Sequence, residues 1–304
     1  FPMPPNPSQI TLFEQAYPNI KVQGVPDASR TKYVTVMAAG TPPDVMQNYD
    51  DSTNAEWAEK GLAAELDAFW GADKLTKDDV FAPVWHNMHY KGHVWALPLD
   101  NIGTFSLFYN KDLFAQLGVS GPPQTIQELD DLNTRFYQTE SDGSIKRLGM
   151  EPSMVSSWGG NAMYSWGYDW GGSFYDDQAQ KVTADDPPIV AALEWMAGYG
   201  KRWGVERVSK FVGAFGKGHA LPFLTGKFAI QFGYQNRLND VLQYAPKFNL
   251  GATWIPAGPA PKGETHSDWT GGFTLVQPPG TKHPDESWLC IKFCTSDPQA
   301  TDFM

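Results

Sequence analysis

The sequence predicts an α/β protein built as two lobes, and three observations carry that prediction. Strand-like and helix-like segments alternate along the chain, the order that builds mainly parallel sheets covered by helices. At 304 residues the chain exceeds the size at which one hydrophobic core keeps growing. Its composition, 41% hydrophobic and 19% charged, supplies apolar material for packed cores and excludes wholesale disorder.

The elements follow in order. Ser8 is placed to cap a helix that carries Ile10, Phe13 and Tyr17 on one face and is stopped by Pro18. Ile20 to Val25 reads as a short strand, and a second helix ends at Gly40. Asp44 to Met46 forms a third short element leading into a polar loop, and Trp57 lies on a helix ending at Gly61. Thr104 to Asn110 is a nearly continuous apolar strand, followed at once by a helix ending at Gly118. Thr125 and Glu128 form a capping box ahead of Leu129, Leu132 and Phe136. Asp186 with Pro187 and Pro188 opens a helix that sets Ile189, Ala192, Leu193 and Met196 at helical spacing. From Gly226 to Tyr234 a helix-like segment ends at a glycine, a short apolar strand follows, and an aromatic ring stands just beyond its exit.

Charge and composition exclude several functions. The net charge of -11 opposes binding to phosphate backbones, which takes clustered Lys and Arg, and it disfavours adsorption to an anionic membrane. No apolar run reaches the length of a membrane span, about 18 residues. An acidic surface is an ordinary route to solubility and names no partner. Cys290 and Cys294, one helical turn apart, are expected to be two free, mostly buried thiols, because disulfide torsions are hard to satisfy at that spacing.

Catalytic and metal signatures are missing. His86, His89 and His93 are close in sequence, but Lys91-Gly92 reads as a turn that breaks any shared helix face, so no metal site is predicted from them. The doublets Asp50-Asp51, Asp176-Asp177 and Asp185-Asp186 do not make a glycosidase. Catalytic carboxylates must face each other across a sugar, about 5 to 10 Å apart, whereas adjacent loop residues diverge. The chain has no G-x-S-x-G, P-loop or dinucleotide fingerprint. No catalytic residue and no cofactor is expected.

Five phrases in order carry a family resemblance. They are Ala38-Ala39-Gly40-Thr41-Pro42-Pro43-Asp44-Val45, Tyr90 to Pro98, Leu107 to Phe114, the Leu221 to Tyr234 stretch, and Gly271-Gly272-Phe273-Thr274-Leu275-Val276. Together they resemble the extracellular carbohydrate-binding proteins of ABC importers, the family 1 solute-binding proteins that include maltose-binding protein. The resemblance implies a two-lobed periplasmic-binding-protein-like fold of type II with a ligand cleft between the lobes. Residues 1–108 would form lobe 1, 109–268 lobe 2, and 269–304 the return to lobe 1. It further implies a first strand and further lobe 2 helices that this chain does not contain, a location in the periplasm or lipid-anchored at the cell surface, and a monomer. The implied partners are a carbohydrate ligand and the membrane permease, with no nucleic acid. The implied mechanism is capture by lobe closure without catalysis.

Site candidates follow from what sugars need, a flat aromatic surface for their C–H faces and carboxylate or amide groups for their hydroxyls. Seven aromatic rings fall in residues 158–175, which also hold five glycines and are expected to be loop-rich; Trp158 and Trp166 are the candidates there. Asn48, Tyr49, Asp50 and Asp51 follow one predicted strand, and Asp100 and Asn101 lie at another strand exit, where α/β sheets present ligand loops. Tyr234, Trp269 and Gly271 sit at or near the predicted crossings between lobes. Two alternatives stay open: the same fold serving an amine, a phosphate ester or iron, and a carbohydrate-active enzyme.

Overall fold

The computed structural model describes residues 7–25, 30–48, 53–102, 105–152, 159–176, 178–215, 221–234, 237–259 and 271–295. The chain divides into two units, Phe1–Ile102 with Thr270–Met304, and Gly103–Trp269. The first carries helices α1 (Pro7–Ala16), α2 (Arg30–Ala38), α3 (Asn54–Glu59), α4 (Asp67–Ala72), α5 (Ala82–Met88) and α12 (Pro284–Cys294). Its strands are β1 (Met46–Asn48), β2 (His89–Tyr90), β3 (His93–Val94), β4 (Leu97–Ile102) and β12 (Gly271–Val276). The second carries α6 (Lys111–Gln116), α7 (Ile126–Phe136), α8 (Gly159–Asp169), α9 (Pro187–Trp203), α10 (Val205–Gly213) and α11 (Arg237–Tyr244). Its strands are β5 (Ser106–Asn110), β6 (Gln138–Thr139), β7 (Ile145–Arg147), β8 (Tyr175–Asp176), β9 (Lys181–Val182), β10 (Ile230–Gly233) and β11 (Leu250–Thr253).

Each unit is organised on one three-stranded sheet, β1-β12-β4 in the first and β10-β5-β11 in the second. The pairing departs from the mainly parallel expectation, since every ladder between these strands is antiparallel. Parallel contacts among the described residues are the isolated bridges Thr125–Ala257 and Leu148–Phe228. The reason lies in the central strands. β12 runs against both β1 and β4, so those two share a direction, and β5 likewise runs against both β10 and β11. Same-direction strands do occur in each sheet, but a strand from the crossing segment is inserted between them. Alternating strand-helix order does not reveal that insertion.

The first unit packs Trp57, Leu66, Met88, Ala96, Val276 and Ile291 into one core. Trp57 stacks on Tyr33 with centroids 4.7 Å apart. Helix α12 is tied down by Asp73, which accepts from Trp288 Nε1 at 2.7 Å and from Lys292 Nζ at 3.0 Å. Lys292 and then the indole N–H hold that carboxyl below its ordinary range. Helix α1 joins through Phe13, whose ring meets Phe293 edge-on at 5.4 Å.

In the second unit, Thr125 caps α7 by accepting from Glu128 N at 3.2 Å, while the Glu128 carboxylate accepts from Gln124 N at 2.7 Å. The box is therefore closed one residue earlier than the spacing predicts. Asp130 of α7 accepts from Tyr199 Oη and, at 3.2 Å, from Trp195 Nε1, which joins α7 to α9. Asn133, fully buried, exchanges two bonds with Met150, accepting from its N–H at 2.8 Å and donating to its carbonyl at 3.0 Å.

Several local expectations change. Ile20 to Val25 forms no strand; Val25 is exposed, and Val22 N–H donates to the Glu14 carboxylate instead of to a ladder partner. Ser8 lies inside α1, which begins at Pro7, so it is not the cap. The strand expected over Thr104 to Asn110 as a crossing between lobes, with the boundary at 108, starts at Ser106 and pairs entirely within the second unit. The aromatic stretch read as loop contains α8, and two of its glycines, Gly167 and Gly172, are explained by close packing. A Cβ on Gly172 would lie 2.3 Å from Ile189 Cδ1 of α9, and one on Gly167 would lie 2.7 Å from Phe174 Cζ. Cys290 and Cys294 are free, half-buried thiols, hydrogen-bonded to each other, an interaction that with burial raises the Cys294 thiol well above its usual range.

Gly258 supplies a test of this packing, because a Cβ there would stand 2.0 Å from the main-chain oxygen of Asp169. Gly258→Ala is expected to destabilise the second unit by about 1–3 kcal/mol. Gly198→Ala, in open space on α9, is expected to be neutral or stabilising by up to about 1 kcal/mol. Denaturant melts of the two variants check the contrast.

Candidate ligand-binding site

Register places several predicted residues at one end of the first sheet. Asn48 ends β1 opposite Thr274, while Asp100 and Asn101 near the end of β4 pair with Phe273 and Gly272, and Gly271 pairs with Ile102. The carboxyl ends of β1 and β4 therefore meet the start of β12. The ladder shifts between Phe273 and Thr274. Such irregularities re-aim side chains and recur beside binding sites.

Beneath this end lies a buried polar network. Asn48 Nδ2 donates to Thr53 Oγ1 at 2.9 Å and to Asn54 Oδ1 at 2.8 Å. Thr274 Oγ1 also donates to Asn54 Oδ1, at 3.0 Å, and Asn54 Nδ2 donates to the Asn87 carbonyl at 3.1 Å. Asn48, Asn54 and Thr274 are each at most 4% exposed. Asn48 was expected to meet ligand, but its amide is engaged inside the protein by buried Asn54 and part-buried Thr53. Its network anchors both flanks of segment 49–52. Tyr49, Asp50 and Asp51 on that segment lie outside the described residues, as do Trp158 and Trp269.

The corresponding end of the second sheet is aromatic. Tyr234 follows Gly233, which pairs with Ser106, and its ring lies 4.2 Å from that of Phe105. Phe105 stacks on Phe232 at 5.0 Å, Phe232 on Trp166 at 4.7 Å, and Trp166 meets Trp195 of α9 edge-on at 4.8 Å. Tyr234 is thus the outer member of a ring series that runs into the core and remains 7% exposed. Trp166 is 0% exposed, and its Nε1 donates to the Pro152 carbonyl at 3.1 Å. It was proposed as a loop residue facing ligand, yet α8 turns it onto α9 and β10, where it fills the core. Strand β11 exits at the same sheet end, and there Trp254 is 63% exposed.

The other motifs resolve into local roles. Asp176 Oδ1 accepts from Gln178 N and Ala179 N, both at 2.9 Å, so it closes a turn. The three histidines do not gather. His89 stacks on Trp85 at 4.7 Å, whereas His93 turns toward Glu65 and Asp67. Those three are the group of His, Asp or Glu side chains among the described residues close enough to share a cation.

This two-unit α/β architecture can be set beside known proteins. A family model described as bacterial extracellular solute-binding protein matches residues 7–301. The chain belongs to this family. An uncharacterized ABC transporter extracellular-binding protein of Pyrococcus horikoshii is 24% identical over 265 residues, 81% of this chain. The chain spans about half of that relative, 56% of its length. Among solved structures, CpMnBP1 with mannotriose bound superposes with a TM-score of 0.79 at 27% identity, covering 97% of this chain and 75% of that one. The maltose-bound T. maritima MalE3 gives 0.70 at 23% identity, covering 96% and 74%. UgpB of Mycobacterium tuberculosis, in complex with glycerophosphocholine, gives 0.72 at 21% identity, covering 97% and 72%. The latter two likenesses concern the fold alone. The fold is that of the two-lobed solute-binding proteins.

Sequence reasoning missed Phe105 and the Asn54–Thr274 pair. Phe105 was one apolar residue among several in a strand pattern. Thr274 had a signal, as the single hydroxyl within Gly271–Val276, whose six residues are all buried. Thr274→Val keeps shape but removes the donor to Asn54. Asn54 Oδ1 keeps the bond from Asn48, so the variant is expected to lower the stability of the first unit by about 0.5–1.5 kcal/mol, the usual net contribution of one hydrogen bond. An unchanged denaturant midpoint would show that the network holds nothing in place.

Proposed function

We propose that the protein captures a neutral mono- or oligosaccharide outside the cytoplasm, in the periplasm or at the cell surface, and hands it as a monomer to the permease of an ABC importer. Binding is the whole of its chemistry. The observation that carries this reading is that each unit collects a complementary set of groups at one sheet end, hydrogen-bonding residues in the first and a tyrosine on an aromatic stack in the second. Asp50, Asp51, Asp100 and Asn101 would serve the sugar hydroxyls, with Tyr49, while Tyr234, Trp158 and Trp269 would serve its apolar faces. Gly271 would admit close backbone approach. Family membership and the mannotriose-bound relative, at 27% identity, support the choice of a saccharide. Capture by closure shifts an equilibrium only as far as the ligand binds the closed state more tightly than the open one.

A thermal-shift panel tests the substrate class. A saccharide at a hundredfold excess over its Kd stabilises the folded protein by about 2.7 kcal/mol. Stabilisation by neutral saccharides, with no new reducing ends after prolonged incubation, is the expected outcome. Stabilisation confined to an amine, an iron chelate or a phosphate ester such as glycerophosphocholine would contradict the saccharide reading. Turnover of an oligosaccharide would contradict binding without catalysis.

Tyr234 separates stacking from scaffolding. Tyr234→Ala is expected to weaken saccharide binding by about 1–3 kcal/mol, the value of an aromatic-sized apolar surface. It should also cost about 3–5 kcal/mol of stability, since the ring is nearly buried on Phe105. Tyr234→Phe keeps the ring and should hold both within about 1.4 kcal/mol, tenfold in affinity. Calorimetric titration beside a melt checks both. Unchanged affinity in folded Tyr234→Ala would remove the residue from the site.

A further inference from the structure

We propose a binding site for a divalent transition-metal cation of the zinc class at Glu65, Asp67 and His93, independent of the saccharide reading. His93 Nδ1 lies 3.2 Å from Asp67 Oδ2 and 3.6 Å from Glu65 Oε2, and the three ligand atoms lie within 4.8 Å of one another. Zinc bonds to nitrogen and oxygen of about 2.0–2.2 Å imply edges of about 3.4 Å in a tetrahedral shell. The two His93 separations bracket that length. One imidazole with two carboxylates, leaving room for water, is also a donor set that suits zinc better than calcium or magnesium, which take oxygen ligands.

The backbone holds these side chains in position. Leu66, fully buried between Glu65 and Asp67, donates its N–H to the carbonyl of Val94 at 2.8 Å, and Val94 is 2% exposed. This buried bond places the two carboxylates, on either side of Leu66, against the residue preceding Val94, which is His93. The ligands come from the chain entering α4 and from the β2–β3 hairpin, so a cation would clip the two together. The trio remains open to solvent, with side-chain exposures of 43–53%. Charge favours a cation too. Lys91, in the hairpin turn, pairs with Glu59, and among the described residues no Lys or Arg pairs with Glu65 or Asp67. Two carboxylates thus face one imidazole.

The test is calorimetric titration of zinc into chelator-treated protein near neutral pH, in a Cys290→Ser, Cys294→Ser background that removes thiolate competition. One zinc per chain is expected, with a rise in melting temperature. His93→Ala and Asp67→Asn should each weaken binding at least about tenfold, since loss of even an outer-shell partner costs 10–100-fold. His86→Ala should bind as the background does. Melts of the metal-free variants confirm that each is folded. Absence of zinc binding, or binding that survives His93→Ala and Asp67→Asn, would overturn the site and leave the trio as an ion pair only.

Discussion

The backbone ladders of β12 and β5 are the constraint on which the rest of the structure depends. Each strand lies at the centre of its sheet and runs against both neighbours. Each also begins within a few residues of the division between the units, at 270 and 103. An antiparallel central strand brings its own start beside the carboxyl ends of both flanking strands. The exits of β4 and β1 thus meet the first half of β12, at Gly271 and Thr274, and those of β10 and β11 meet the start of β5, at Ser106 and Leu107. In each unit the candidate residues are collected where the chain changes unit, and the hydrogen-bond register alone collects them.

What lies behind each end is different in kind. In the first unit the support is polar, a set of amide and hydroxyl groups whose bonds are satisfied internally and which hold Asn48 and Thr53, the residues that flank segment 49–52. In the second it is aromatic, with rings handing contact from Tyr234 to Trp195 across the sheet and two helices. A buried polar network is directional and stiff. Aromatic packing gains its strength from area and depends less on angle. Under the proposed saccharide reading, the two supports would serve different needs, hydroxyls that require aimed donors and acceptors, and a ring face that requires a flat, rigid surface.

Much of the fold was legible in the sequence because helix-ending glycines and strand exits are local signals. Gly40, Gly61 and Gly118 each take a positive φ just past a helix, as their positions suggested. Strand direction was not legible, since insertion of a crossing strand between two others is a long-range event. Trp166 shows why the aromatic stretch misled: a run of rings and glycines looks like a loop until one knows that Ile189 must approach Gly172. The histidine spacing misled in the opposite sense. His86, His89 and His93 are neighbours in sequence, yet His93 meets carboxylates 26 and 28 positions earlier in the chain, brought there by the Leu66–Val94 hydrogen bond.

The claim that the ligand is held at the two sheet ends is tested most directly by amide hydrogen exchange with and without a saturating oligosaccharide. The account predicts slowed exchange in residues 49–52, 100–104, 234–236 and 269–272, from both units together, with little change in the β8–β9 hairpin or in α10. Protection confined to one unit, or centred away from these strand ends, would contradict it.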